Sequence, residues 1–168
     1  MRLSNKNEAQ MAAKGGQEHY PGHFKVMKLL HFSWFISMLA EVFFLKRPFL
    51  PALSGAAAVM FAAGQSLRYA AIRKLDWRWT VRIFTLPGEH PVTGGIYRYI
   101  RHPNYLGVIL EIAAVPLIHN AYLTALGFSM VNGLLLAVRI HKEEEAMERA
   151  NQYKTTFSAL PRFLPRRI

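Results

Sequence analysis

Residues 94–111 read GGIYRYIRHPNYLGVILE, and the organisation of the chain follows from this run. Arg101, His102 and Pro103 mark the entry to a helix, because proline is tolerated at the first helical position, where its missing N–H has no partner to lose. Beyond Pro103 the sequence turns apolar, and Asn104, Val108 and Glu111 recur at i, i+4 and i+7, which sets them on one helical face. A carboxylate in such a segment is costly in a bilayer unless it is paired or faces a polar cavity. The run therefore reads as the mouth of a polar pocket set into a membrane.

The rest of the composition agrees. The 168 residues suffice for one domain; they are 52% hydrophobic, yet carry 21 Lys+Arg against 10 Asp+Glu, a net charge of +11. Such a balance suits nucleic acid, an anionic membrane surface or an acidic ligand, and the placement of the charges decides among them. Residues 48–67 and 120–138 contain no charge at all, and each approaches the roughly 20 residues that a spanning helix needs. The expectation is an all-α integral membrane protein of about four transmembrane helices, with no nucleic-acid partner. Cysteine is absent, which excludes disulfides and thiolate metal sites, and no metal is expected.

In chain order, residues 1–24 are polar and are expected to be flexible or to lie on the surface, with no cleavable signal peptide and with His19 and His23 solvated. The transmembrane core is expected over 25–140. Its first span is 25–45, with Lys28 snorkelling, His31 without a role and Glu41 reaching the interface. The second starts at Pro51 and is rich in Ala and Gly, which suits close helix approach in lipid. Near its end Gln65 and Arg68 lie one turn apart and make a polar patch. Residues 73–93 alternate apolar and polar from Trp77 to Ile83, the pattern of a short strand or an interfacial segment. The third span runs from Pro103 to about Ile118, and His119 and Asn120 turn it into a fourth, so the last two form a helical hairpin. The fourth helix meets no stop at Arg139 and should project through residues 141–168 as a cytoplasmic helix and an interfacial tail whose arginines face lipid headgroups. With four spans, nineteen of the Lys and Arg residues fall on one side and two on the other. The positive-inside rule then puts both termini and the Arg-His-Pro run in the cytoplasm of a plasma membrane.

Three polar clusters end on that side: Gln65 with Arg68, the run from Tyr97 to Tyr105, and Arg139 with Glu143 and Glu144. Together they read as a cradle for a cationic, nucleoside-like ligand, with carboxylates for hydroxyls or an ammonium, and with Arg101 and His102 for a carboxylate.

The spacing Gly95-x-Tyr97-x-x-x-Arg101-His102-Pro103-x-Tyr105-x-Gly107, followed by Arg139-Ile140-x-x-Glu143-Glu144, resembles the isoprenylcysteine carboxyl methyltransferase family. Gly64-Gln65-x-Leu67-Arg68 upstream, and Tyr153 with Pro161-Arg162-Phe163-Leu164-Pro165 at the tail, extend the match over roughly 60–165. The resemblance implies methyl transfer from S-adenosyl-L-methionine to a lipid-attached oxygen. Tyr97, Arg101, His102, Tyr105 and Gly107 would line the cofactor site, closed by Arg139, Glu143 and Glu144. Arg68 would meet the acceptor oxygen, with Gln65, Glu111 and Asn132 in the substrate pocket, and His102 would serve as the base for a phenol or enol. Ile96 stands where the family usually has proline, and the chain lacks the N-terminal half by which longer members recognise a prenylated cysteine. The blocks GQxLR, RHPNYLGVILEIAAVPL and RIxxEE are similar to those of short bacterial members that O-methylate long-chain alkylpyrones, so a polyketide lipid is the expected acceptor. Carboxyl methylation of a prenylated cysteine, an NADPH-dependent reductase of the sterol type, and a non-enzymatic membrane binding protein are the alternatives.

Overall fold

A computed structural model describes residues 1–164. Its elements in chain order are α1 (Arg2–Ala13), β1 (Gln17–His19), α2 (Pro21–Leu45), α3 (Pro51–Leu75), a 3-10 turn (Asp76–Arg78), β2 (Ile83–Thr85), a second 3-10 turn (Gly95–Arg98), α4 (Pro103–Ile118), α5 (Tyr122–Asn151) and α6 (Tyr153–Phe157). The fold is predominantly helical. Helices α2, α3 and α4 each begin on proline, where the missing donor costs nothing and the fixed φ favours entry.

Two helices, α2 and α5, are long and apolar enough to cross a bilayer; α3 is long but less apolar, and α4 is apolar but only 16 residues long. The outer surfaces carry large apolar side chains in the open, among them Phe43 (70% exposed), Phe44 (83%), Val59, Leu126 and Leu134. Such a surface suits lipid, where burial between helices gains little and close packing with polar contacts holds the bundle together.

The contacts follow that rule. Helices α3 and α4 pack backbone to backbone at Gly64 and Gly107: a Cβ on Gly107 would stand 2.7 Å from the Gly64 carbonyl oxygen, and one on Gly64 3.0 Å from that of Gly107. Helix α4 turns through His119 and Asn120, the latter at φ +58°, into α5 as the expected hairpin. Ser54 of α3 fastens that turn by donating to the Ile118 carbonyl at 2.8 Å. Helix α2 docks through Trp34, whose indole N–H reaches the Ile112 carbonyl at 3.1 Å, and through Ser37 against Thr124 at 3.1 Å.

Several expectations are corrected here. Glu41 is buried rather than interfacial: its carboxylate accepts from the Leu123 and Thr124 backbone N–H groups at 3.0 and 2.7 Å, so α2 caps the start of α5. Arg47 balances that charge at 3.2 Å.

The N-terminal residues are not a loose segment. Asn7 of α1 donates to the Asp76 and Trp79 carbonyls at 3.0 and 2.8 Å, Ser4 accepts from the Val81 N–H, and Met11 is buried. β1 then pairs antiparallel with β2, Gln17 opposite Thr85 and His19 opposite Ile83, and His19 contacts the Thr85 hydroxyl at 2.8 Å. The alternating stretch therefore does hold a strand, at its far end, and the fold is not wholly α.

The tail is tied to the entry of α4: Arg101 and His102 donate their backbone N–H groups to the Pro161 and Arg162 carbonyls, both at 3.0 Å. Pro165, Arg166 and Arg167, on which part of the tail expectation rests, lie outside the described residues.

Candidate functional site

Two cavities meet at the end of the bundle where α4 begins. The first, of about 130 Å³, is walled by the segment 78–92, by Tyr97, Arg101 and His102, by Asn104 and Tyr105 of α4, by Arg139, Glu143, Met147 and Asn151 of α5, and by Tyr153 and Phe157. The second, of about 320 Å³, lies between α2, α3, α4 and α5 and is walled largely by Phe24, Met27, Val108 and Leu136, with Lys28, His31 and Arg68 as its basic groups. Trp79, Thr80, Asn104, Tyr105 and Arg139 line both.

The polar cavity is framed by two charge networks. In the inner one, Arg139 Nε donates to the Tyr105 hydroxyl at 2.8 Å and its Nη2 reaches the Val81 carbonyl, while the Tyr105 hydroxyl donates to Glu143. Arg139 and Glu143, four residues apart on α5, are therefore linked through a tyrosine from α4, and the arginine also fastens the segment before β2.

In the outer network Glu144 accepts from His102 Nε2 at 2.9 Å, from Arg162 through both Nε (3.1 Å) and Nη2 (2.6 Å), and lies 3.2 Å from Arg101. Burial opposes ionisation of Glu144, but the hydrogen bonds from His102 and Arg162 and the charge of Arg101 outweigh it and bring its carboxyl down to about 2. Because the ionised carboxylate only accepts, His102 Nε2 carries a hydrogen.

Nearby, burial and then the Glu143 carboxylate push the Tyr97 and Tyr153 phenols up, so both remain O–H donors. Tyr97 is presented by the turn Gly95–Arg98, entered through Gly95 at φ +62°, a conformation that disfavours any other residue.

Four buried polar atoms in this wall have no protein partner: Asn104 Oδ1, Trp79 Nε1, Arg101 Nε and Asn151 Oδ1. Since buried polar groups are normally paired, these donors and acceptors suit a ligand that is itself polar along its length.

Of the residues singled out in the sequence, Tyr97, Arg101, His102, Tyr105, Arg139 and Glu143 line the polar cavity, and Glu144 stands behind it. Gly107 lies in the α3–α4 seam, where an added Cβ would collide with Arg68 and the Gly64 carbonyl. Arg68 lines the apolar cavity and is ion-paired with Glu111. Asn104 and Val108 also face that cavity, as the shared helical face implies. Gln65, Glu111 and Asn132 line neither; Asn132 is buried with its Oδ1 unpartnered. The sequence reading passed over Trp79, Asn151 and Met11, whose only signal was an indole in an alternating stretch.

This arrangement has the parts of a membrane-embedded group-transfer enzyme: a polar compartment, an apolar one and a shared wall of titratable groups. The sequence model of the isoprenylcysteine carboxyl methyltransferase (ICMT) family matches residues 56–149, and the chain belongs to that family, a family of membrane methyltransferases. It is 35% identical over 148 residues to the uncharacterised protein YpbQ of Bacillus subtilis, covering 88% of each chain. It is also 31% identical over 147 residues to an uncharacterised protein of Haemophilus influenzae, covering 86% of this chain and 84% of the other.

Proposed function

We propose that the protein is an S-adenosyl-L-methionine-dependent O-methyltransferase acting on a lipophilic acceptor, a long-chain alkylpyrone or related polyketide lipid. The observation that carries this reading is the pair of adjoining cavities, one polar and one apolar, with Asn104, Tyr105 and Arg139 in their common wall. When bound, S-adenosyl-L-methionine supplies a methyl group made electrophilic by its sulfonium. The protein's own work is then to position and to exclude water. Glu143 and the unpartnered atoms of Asn104, Arg101 and Asn151 offer contacts to a cationic, hydroxyl-bearing ligand. Tyr97 and Tyr153, kept protonated, donate hydrogen bonds at any working pH. Arg68, charge-paired with Glu111, presents its guanidinium to the apolar cavity, where it orients an acceptor oxygen.

The polyketide acceptor is favoured by the sequence blocks shared with alkylpyrone-methylating proteins. Helices α2 to α5 all cross the membrane in this reading, with both termini and the polar cavity in the cytoplasm, a topology supported by the split of nineteen basic residues against two. Calorimetric titration of the purified protein with S-adenosylhomocysteine and with NADPH tests the cofactor: binding of NADPH alone would assign a reductase instead. Mass spectrometry of lipids from cells with and without the gene tests the acceptor, the expected change being one added methyl on a polyketide lipid. Reporter fusions after residues 47 and 119 should report the outside; a cytoplasmic signal at residue 47 would overturn the four-span topology.

A further inference from the structure

His31 on α2 belongs neither to the motif that ties the chain to its family nor to the polar cavity. Its Nδ1 lies 2.8 Å from the Met27 carbonyl oxygen one turn back. A carbonyl only accepts, so Nδ1 carries the ring hydrogen and the neutral imidazole presents its lone pair at Nε2. Trp34 meets the ring at a steep angle, 6.4 Å between centroids, and the side chain lines the apolar cavity.

The other titratable groups of that cavity are Met1, which carries the α-amino group, Lys28 on α2, Arg68 on α3, Tyr105 on α4 and Arg139 on α5. Arg68 is engaged by Glu111, and Arg139 by Tyr105 and the Val81 carbonyl. Among the described residues neither Lys28 nor His31 has a carboxylate partner. The apolar cavity thus combines fixed cations with one basic lone pair. A carboxylate acceptor, ionised near neutrality, has use for the cations only. The lone pair of a neutral imidazole is of use to a hydroxyl that must lose its proton.

We infer that His31 is the base that removes the proton from the acceptor's hydroxyl, and that the acceptor is a polyketide lipid bearing a weakly acidic phenolic O–H. This deepens the methyltransferase reading and rests on it. The acceptor's O–H bond breaks with its electron pair left on oxygen, and the proton goes to His31 Nε2. That oxygen pair forms the bond to the methyl carbon, while the pair of the methyl–sulfur bond returns to sulfur and leaves a neutral thioether. The positive charge lost at sulfur reappears on the imidazolium, so charge is conserved. Lys28 and Arg68 face the oxyanion as it forms.

The test uses the full chain in detergent with no methyl donor, and 4-dodecyl-2-nitrophenol, whose phenolate is coloured. Binding should then generate phenolate colour with no proton released to a weakly buffered, indicator-containing solution, because the proton stays on His31. Release of one proton for each phenolate formed would overturn the inference, since cations alone would then be stabilising the anion, and so would the absence of phenolate.

In His31→Gln, and in His31→Asn if the first is not recovered folded, the apparent pKa of the bound probe should rise by about one unit. An unchanged value would also overturn the inference. Tighter binding of dodecanoate than of the nitrophenol by the wild-type protein would favour a carboxylate acceptor and overturn it. S-adenosylhomocysteine affinity should be equal in wild type and variants. Its absence in the wild type would sink the methyltransferase reading while leaving the proton-transfer result standing.

Discussion

The two cavities share a wall but are built from opposite kinds of sequence. The polar cavity draws on residues that stand close together in compact motifs, and nearly every one is tied to another: Arg139 to Tyr105, Tyr105 to Glu143, and His102, Arg101 and Arg162 to Glu144. The apolar cavity draws scattered residues from four helices, and beyond the wall it shares with its neighbour only Arg68 is engaged by a carboxylate. A compartment that must hold a charged, polar ligand has to have its own charges fixed in advance, because an unpaired buried charge is costly. A compartment for a lipid needs volume and a few poised groups, and its apolar walls can come from anywhere in the bundle.

The largest expected effect strikes the polar side. Glu144→Ala leaves His102 and two arginines facing one another in a buried site, and should destabilise the protein by about 3–5 kcal/mol. It should also abolish S-adenosylhomocysteine binding, read by thermal unfolding in detergent and calorimetry. If Glu144→Ala melts as wild type does, the contrast between a tied and an untied cavity is lost. The same carboxylate sets a pH limit. Its carboxyl, held down at about 2, lies below the ordinary carboxylate range near 4.5, so its contribution is complete above about pH 4.5 and is lost as pH falls towards about 2. Unfolding followed across that window in Glu144→Gln should show this slope gone.

Next in size is Arg68→Lys on the apolar side. It keeps the charge and loses the planar fork, so turnover should fall by about 100-fold while S-adenosylhomocysteine affinity stays constant. Full activity would reduce Arg68 to a partner for Glu111 and move the acceptor site elsewhere.

Gly107→Ala separates packing from ligand contact. The added methyl meets Arg68 and the Gly64 carbonyl, so destabilisation of about 1–3 kcal/mol is expected. Affinity for S-adenosylhomocysteine should be retained per folded molecule; selective loss of affinity without loss of stability would return Gly107 to the cofactor site.

The smallest effect is expected from Asn7→Ala, which frees the Asp76 and Trp79 carbonyls and should cost about 1–2 kcal/mol. Protease susceptibility near residues 76–85 should rise with it. An unchanged cleavage pattern would mean that α1 contributes nothing to the roof of the polar cavity.

Much of this architecture was legible in advance where local chemistry speaks for itself. Proline at Pro51 and Pro103 starts the helices expected there, and uncharged runs demand a helical backbone in lipid because every peptide group must be satisfied internally. The convergence of the Tyr97–Tyr105 run with Arg139, Glu143 and Glu144 was readable too, since such polar groups at the end of apolar helices need one another. What stayed hidden were partnerships between distant segments with no periodic signal. Glu41 looks like an interfacial carboxylate until the start of α5 is seen beside it. Ser4 and Asn7 look like solvated residues until the segment after α3 offers them backbone groups.

By itself, then, the sequence determined the four long helices α2 to α5, the hairpin and the family, because proline geometry, the absence of charge and motif spacing act within one segment. Only the tertiary structure decided that Gly107 is a packing residue, that Arg68 meets Glu111, that the N-terminal helix packs on the segment after α3 while β1 pairs with β2, and that His31 faces the apolar cavity. The reason is physical. A buried hydrogen bond or ion pair takes its value from the partner it finds, and between segments far apart in the chain that partner is chosen by packing.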